Sequence, residues 1–549
     1  MRLSRRTRLA GVALFASASL ILAGCGSSDG DSSDGGGDTT NAVITVNGSE
    51  PQNPLIPTAT NETGGGDPIQ NLFAGLVAYN ADGSFVNEVA ESIEPDEESK
   101  VWTVKLKDWK FTDGTPVTSE SFVKAWNYGA DPVNQHLGAY FFYPIAGTDD
   151  GGYTPEGADG ISGLKIIDDK TFTIELKKSE SDFPLRLGYS SYFPLPEAAY
   201  GPDGKITKEY GEAPIGNGPY KLAESGWQHD VQIALVPNED YDGAHKPANG
   251  GLTFKFYAGD NGLDAAYTDV QAGNLDVLTT VPASALATFE TDDNVQAFSS
   301  PGSVFQSFTF PASAPHFQGE EGILRRQAIS HAINREEITD KIFNGSRTPA
   351  KDFTAPVLDG WTDSVPGNDV LDFDVDKAKD LWAQADAISP WEGQFQIAYN
   401  GDGGHKEWVD AVINQVKNNL GIEASGKSYP TFDELRNDVT SRTIKIPFRT
   451  GWQADYPSML NYLGPLYGTK AGSNDGDYSN KKFDDLITEA STAQGDERYK
   501  LIAEAQSVLF EDLPAIPLWY SNVAGAAALG VENVEFTWQN LPDFYKITK

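Results

Sequence analysis

The sequence predicts a mixed α/β protein of two or three domains, and three observations carry that expectation. About 500 residues follow the N-terminal leader, too many for one simple core. Strand-like and helix-like hydrophobic periods alternate from Val43 onward. No repeat of about 20–50 residues interrupts that mixture, which argues against a solenoid or propeller.

Each element follows from its period. In Val101–Lys107 the residues Trp102, Val104 and Leu106 fall on one face of a strand. Leu164–Leu176 reads as two strands joined by a tight turn at Asp168-Asp169-Lys170. Glu321–Phe343 reads as two helices. The first carries Ile323, Leu324, Ala328, Ile329 and Ala332, and the second starts near Asn334. Trp408, Val412, Ile413, Val416 and Leu420 mark a helix that Gly421 ends. Tyr499, Ile502 and Leu509 outline a further helix, whose apolar stripe Gln506 interrupts. Thr60–Asp67, TNETGGGD, reads as a glycine-rich loop or a place of close backbone approach.

The leader MRLSRRTRLAGVALFASASLILAGC sets Arg2, Arg5, Arg6 and Arg8 ahead of an apolar run that ends at small residues and the only cysteine, Cys25. Its charge, length and ending are those of a signal peptide, and the run is shorter than the ~18–20 residues of a membrane span. Leu22-Ala23-Gly24-Cys25 resembles a lipobox, which makes residues 1–24 the signal and Cys25 the lipidated first residue of the mature chain. Residues 26–42, with no apolar side chain before Ala42, read as a flexible leash behind it.

Charge and motif content exclude several functions. The chain has 41 basic and 79 acidic residues, a net −38, and losing the four leader arginines takes the body to −42. Such a surface repels nucleic acid and anionic headgroups. One cysteine allows no intramolecular disulfide. The six histidines show no metal-binding spacing, and no nucleophile elbow is present, so neither metal, cofactor nor catalytic centre is expected. Gly421–Ser428, GIEASGKS, matches the phosphate-loop spacing, but a working loop follows a strand and opens a helix. This one follows a helix and runs into Tyr429-Pro430.

Residues 71–131 contain Phe73-x-Gly75-Leu76, Val89-Ala90-Glu91-Ser92, Trp102-x-Val104-x-Leu106 and Phe111-x-Asp113-Gly114-Thr115-Pro116-Val117-Thr118 before a helix. Further motifs follow at Asn47–Glu50, Gly216–Tyr220, Asn334–Ile338, Ala454–Pro457 and Pro514–Tyr520. In this order they resemble the oligopeptide- and dipeptide-binding proteins of ABC importers, the extracytoplasmic solute-binding proteins of family 5. The resemblance implies a type II periplasmic-binding-protein fold of two hinged lobes plus an inserted one. Lobe I would comprise residues 43–78, 203–301 and 521–549, lobe II residues 79–202, and lobe III residues 302–520.

The implied function is capture of short peptides outside the membrane for a permease and its ATPase subunits. The protein would be monomeric and attached to the outer face of the cell membrane by the lipid alone. Alternatives on the same fold are another solute, such as an oligosaccharide, a siderophore-like compound or a metal chelate; a secreted hydrolase is a third reading. A zwitterionic peptide needs an acid and a base, because an unpaired buried charge costs several kcal/mol. Arg449-Thr450-Gly451-Trp452-Gln453-Ala454-Asp455 supplies both, with an aromatic residue and a glycine. By resemblance Asp455 takes the peptide α-amino group and Arg449 its carboxylate, with Gly451 and Trp452 beside them. Tyr429 replaces an aromatic wall residue of relatives, and His405 falls where a relative meets the carboxyl end of longer peptides.

Overall fold

The computed structural model describes residues 41–60, 62–257, 261–401, 404–430 and 432–549, so Cys25 and the leader lie outside the described residues. The described residues form one contact unit. Its frame is an 11-stranded sheet. Starting at one edge, Ala424–Tyr429, Phe395–Asn400 and Phe448–Gln453 lead to two long antiparallel strands, Val295–Thr309 and Ala515–Ala528. Beyond these come Val277–Leu278, Val43–Gly48, Gly251–Phe256, Gln232–Pro237 and Tyr220–Gln228, while the eleventh strand, Arg347–Pro349, pairs with Ala515–Ala528 off this path. The two long strands run through both halves of the sheet, and their register shifts between Pro301 and Val304.

A separate four-stranded sheet, Ala90–Pro95, Val101–Leu106, Thr171–Glu175 and Leu164–Asp168, is antiparallel throughout. It includes both strands read from Leu164–Leu176. Against it packs the helix Ser119–Ala130, which buries Phe122, Val123 and Trp126. Trp126 sits among Phe122, Phe142, Phe172 and Tyr192 at centroid distances of 5.3–6.2 Å.

The family motifs turn out to be braces. Asp113 Oδ1 accepts from the Thr115 N–H (2.9 Å), closing the Asp-Gly turn, and Ser121 Oγ accepts from the Thr118 N–H (3.2 Å) at the helix start. The Asn217 side chain pairs with both backbone groups of Ala74, while Trp109 Nε1 donates to the Asn217 carbonyl (2.9 Å). Gly216 lies so close to Leu72 that a Cβ would stand 1.9 Å from its carbonyl oxygen. No other residue fits there. Arg335, 4 % exposed, donates to the carbonyls of Pro517 and Leu371 and to Ser330 Oγ. Burial lowers its pKa to about 9.

Three sequence expectations meet side-chain detail. The helix Gly319–His331 buries Arg325 and Arg326, whereas Ile323 and Leu324 are only half-buried. The Arg325 guanidinium lies over Trp382 and Trp391 and pairs with Glu321 and Asp386, which lets a cation enter an apolar stripe. Gln506 is 2 % exposed, accepting from the Phe353 N–H and donating to Asp352, so this polar interruption ties a loop to the helix Gly495–Asp512. Thr63–Leu72 is a helix rather than a glycine loop, because the Glu62 carboxylate caps the Gly65 N–H (3.1 Å).

The phosphate-loop pattern is structural. Gly421 ends the helix Lys406–Leu420 at φ 70°, and Ala424–Tyr429 then forms a strand parallel to Phe395–Asn400. Gly421→Ala should cost about 1 kcal/mol, since a left-handed residue with Cβ is strained. Gly421→Asn should cost less. Denaturant midpoints compare the two.

Candidate ligand-binding cleft

The strand Phe448–Gln453 is paired along its length with Val304–Thr309 on one side. On the other, only Phe448 meets a partner, Ala398. Among the described residues no strand lies along that edge from Thr450 to Gln453, although the strand belongs to the central sheet. Backbone donors and acceptors are thus presented to an arriving chain.

A cavity of about 170 Å³ opens against this strand. Arg449, Gly451 and Trp452 line it, three of the residues singled out from sequence. Its wall carries a hydroxyl row, with Thr450 Oγ1 2.7 Å from Ser307 Oγ and 3.0 Å from Thr309 Oγ1. Leu435, Val439 and Leu466 supply apolar surface. At one end Arg436 meets Asp475 at 2.5 Å, and Arg442 holds the other oxygen of Asp475 (3.2 Å). Gly451 is exposed and leaves this part of the strand without a side chain.

Asp455 lies just past the strand. Its Oδ1 accepts from the Tyr140 hydroxyl (3.0 Å), its Oδ2 from Asn461 Nδ2 (3.2 Å), and its own N–H donates to Asn461 Oδ1 (2.9 Å). Burial raises the Asp455 pKa, opposed by the hydrogen bonds from Asn461 and Tyr140 and by the field of Arg186. The half-buried carboxylate is therefore partly desolvated and held in one orientation.

The remaining residues are placed differently. Arg449 Nε donates to Asn400 Oδ1 (2.8 Å). Asn400 is paired with Tyr429 across the parallel strands. The Tyr429 hydroxyl donates to Asp438 (2.8 Å), accepts from Lys427 (3.0 Å), and its ring joins the cluster of Leu435, Val439 and Phe448. His405 sits at the start of the helix Lys406–Leu420, 9 % exposed, with Nδ1 accepting from Trp408 Nε1 (3.1 Å). Neither of these two lines the cavity.

Sequence reading missed Tyr140, Asn461, Arg436 and Asp475. Tyr140 stands in the run Tyr140-Phe141-Phe142-Tyr143, which has the composition of core and carries no signal that one ring reaches Asp455, 315 positions away. A seam beside the cleft was equally hidden. Asp182, 3 % exposed at its side chain, is ion-paired with Arg498, 13 % exposed, and accepts from Ser458 Oγ (2.7 Å). Arg186 pairs with Glu180 (2.6 Å), donates to the Tyr143 hydroxyl, and stacks over Tyr456 at 4.4 Å.

Among the described residues no group of three potential ligand side chains could hold a metal ion, and no helix is long and apolar enough to cross a membrane. An open strand edge over a polar-walled cavity defines a ligand-receiving surface, the class of a solute-binding protein. The chain belongs to the bacterial extracellular solute-binding proteins, family 5, whose middle-region model matches residues 84–474, more than half its length. It is similar to the oligopeptide-binding protein OppA of Bacillus subtilis, 25% identical over 91% of this chain and 92% of that one. The dipeptide-binding protein DppE of the same organism is 25% identical over 95% of each chain. The unliganded open form of the murein tripeptide binding protein MppA superposes with a TM-score of 0.79 at 23% identity, covering 92% of this chain and 97% of the other. DppA from Helicobacter pylori in complex with the peptide STSA gives 0.70 at 18% identity over 93% and 98%. These structures show the type II periplasmic-binding-protein fold.

Proposed function

We propose that the protein is the substrate-binding lipoprotein of an ABC importer and captures short peptides outside the membrane. One observation carries this reading: the unpaired edge Thr450–Gln453 ends beside the half-buried carboxylate of Asp455. A peptide backbone added along that edge satisfies its polar groups as a further strand, and Asp455 receives the ammonium group. Arg449 meets the carboxyl end, with Gly451 leaving room for the ligand backbone and Trp452 forming a wall. Tyr429 stands beside this end through Asn400, which holds Arg449. At about 3.3 Å per residue the run from Arg449 to Asp455 covers roughly 20 Å, the length of an extended peptide of about six residues.

The lobes expected from sequence supply the motion. Their boundaries at 301/302 and 520/521 fall where the two long strands lose register, Pro301 facing Asn522 and Val304 facing Ser521. A bulge there concentrates bending at one level of the sheet. The protein binds and releases without catalysis, as a monomer, and hands its ligand to the permease.

Calorimetry on the mature body, stripped of co-purified ligand, tests the reading with di- to hexapeptides and their N-acetylated forms. Saturable binding of free peptides and loss on acetylation are expected. An oligosaccharide or chelate that binds where peptides do not would overturn it. For the anchor, Cys25→Ser should move the protein from the membrane fraction to the soluble one after Triton-free lysis, since no helix among the described residues is long and apolar enough to cross a membrane; retention would refute lipidation there.

A further inference from the structure

A second cavity, of about 110 Å³, shares no residue with the first. It is lined from residues 70–80, by Glu88, Gly188, Phe193, Pro219, Tyr241 and His245, and by the C-terminal segment 537–545. Aromatic rings make up much of its wall. Tyr79 and Trp538 meet edge to face at 5.5 Å, and His245 stacks on Tyr545 at 4.2 Å and 9°. Two acids stand among the rings, Glu88 and Asp543, 2 % and 1 % exposed. Glu88 accepts from the Tyr241 hydroxyl and from the Ala244 N–H (3.1 Å). Asp543 is ion-paired with Lys546 at 2.7 Å, and Lys546 is shared with Glu535 (3.0 Å).

The charge balance is uneven. No lysine or arginine lines the cavity. Lys546 is the cation paired with Asp543, whereas Glu88, whose pKa burial raises, has no ion-pair partner among the described residues and feels only the field of Lys107 from outside the cavity wall. His245 is driven below its ordinary value by burial and brings no charge at neutral pH. Trp538 Nε1 is buried without a hydrogen-bond partner among the described residues. A buried donor, a buried carboxylate with no cation on the cavity wall, and several aromatic rings all line one small volume. A ring face attracts a cation through its quadrupole, most strongly where water is excluded, and a carboxylate adds to that attraction.

We propose that this cavity is a second binding site, separate from the strand-edge cleft, for a small organic ammonium compound of several heavy atoms. Charge on the ligand is the discriminating property, because an uncharged molecule of the same shape gains only the apolar contact.

The test uses the mature protein with choline and its uncharged isostere 3,3-dimethylbutan-1-ol, followed by saturation-transfer NMR and calorimetry. Choline should bind saturably and the isostere about tenfold more weakly or worse. Choline should remain bound when the cleft is saturated with peptide, so the site stands or falls independently of the peptide reading. Glu88→Gln and Trp538→Phe should each weaken choline, with circular dichroism confirming the fold. Equal binding of choline and isostere, absence of saturable choline binding up to tens of millimolar, or displacement of choline by peptide each overturns the proposal. The wild-type comparison decides the matter even if a variant does not fold.

Discussion

Asp455→Ala should lower affinity for a free peptide by about 2–4 kcal/mol, roughly 30- to 1000-fold, because it leaves the ligand ammonium in a desolvated site without its counter-charge. Binding of an N-acetylated peptide, already weak, should change little. The pH dependence has a defined sign. Burial holds the unliganded Asp455 carboxyl above its ordinary pKa, and an ammonium group lowers that value again, so binding releases a proton. Affinity is complete above the unliganded pKa and is lost as pH falls through it toward the liganded value. At the alkaline side it declines as the peptide amine deprotonates, near pH ~8. Calorimetry in buffers of different ionisation enthalpy measures the proton directly. Wild-type affinity that is flat from pH 4 to 7, or an Asp455→Ala variant within twofold of wild type, would remove Asp455 from the recognition of the amino group.

The second large effect concerns the seam beside the cleft. Arg498→Ala should destabilise the protein by about 3–5 kcal/mol, because Asp182 is left buried and uncompensated with only Ser458 as a donor. Removing both charges, with Asp182→Ser and Arg498→Met, should restore more than half of that loss, since burying two apolar or neutral groups avoids the isolated charge. Thermal and urea unfolding of the single and double variants give the comparison. A cost below about 1 kcal/mol for the single variant would mean that water screens the pair as it does at a surface. The same seam bears on binding: Arg186, which stacks over Tyr456, lies in the segment that carries Asp182, and its field helps keep Asp455 ionised.

How far the sequence could be read depended on the range of the interaction involved. Gly421, Asn334 and the Asp113-Gly114 turn are local devices whose hydrogen bonds close within a few residues, and each stands where its residue type demands. The same locality disposed of GIEASGKS, since a helix before and a proline after cannot build a phosphate loop. Buried arginines in an apolar stripe were not legible. Arg325 enters the core because Trp382 and Trp391 come from a different part of the chain and cover its guanidinium.

The sequence by itself determined a mixed α/β body, its family, and the segment Arg449–Asp455 as the place where charge of both signs meets a glycine and an aromatic ring. What made that segment a cleft was tertiary. Strand pairing stops at Phe448 and leaves an edge open, Tyr140 crosses from a distant helix to orient Asp455, and Arg436 is brought to the cavity against Asp475. Periodicity and caps act over one or two turns and are written in neighbouring residues. An open edge, a counter-charge or a cavity depends on which surfaces meet after the chain has folded, and no local pattern records that.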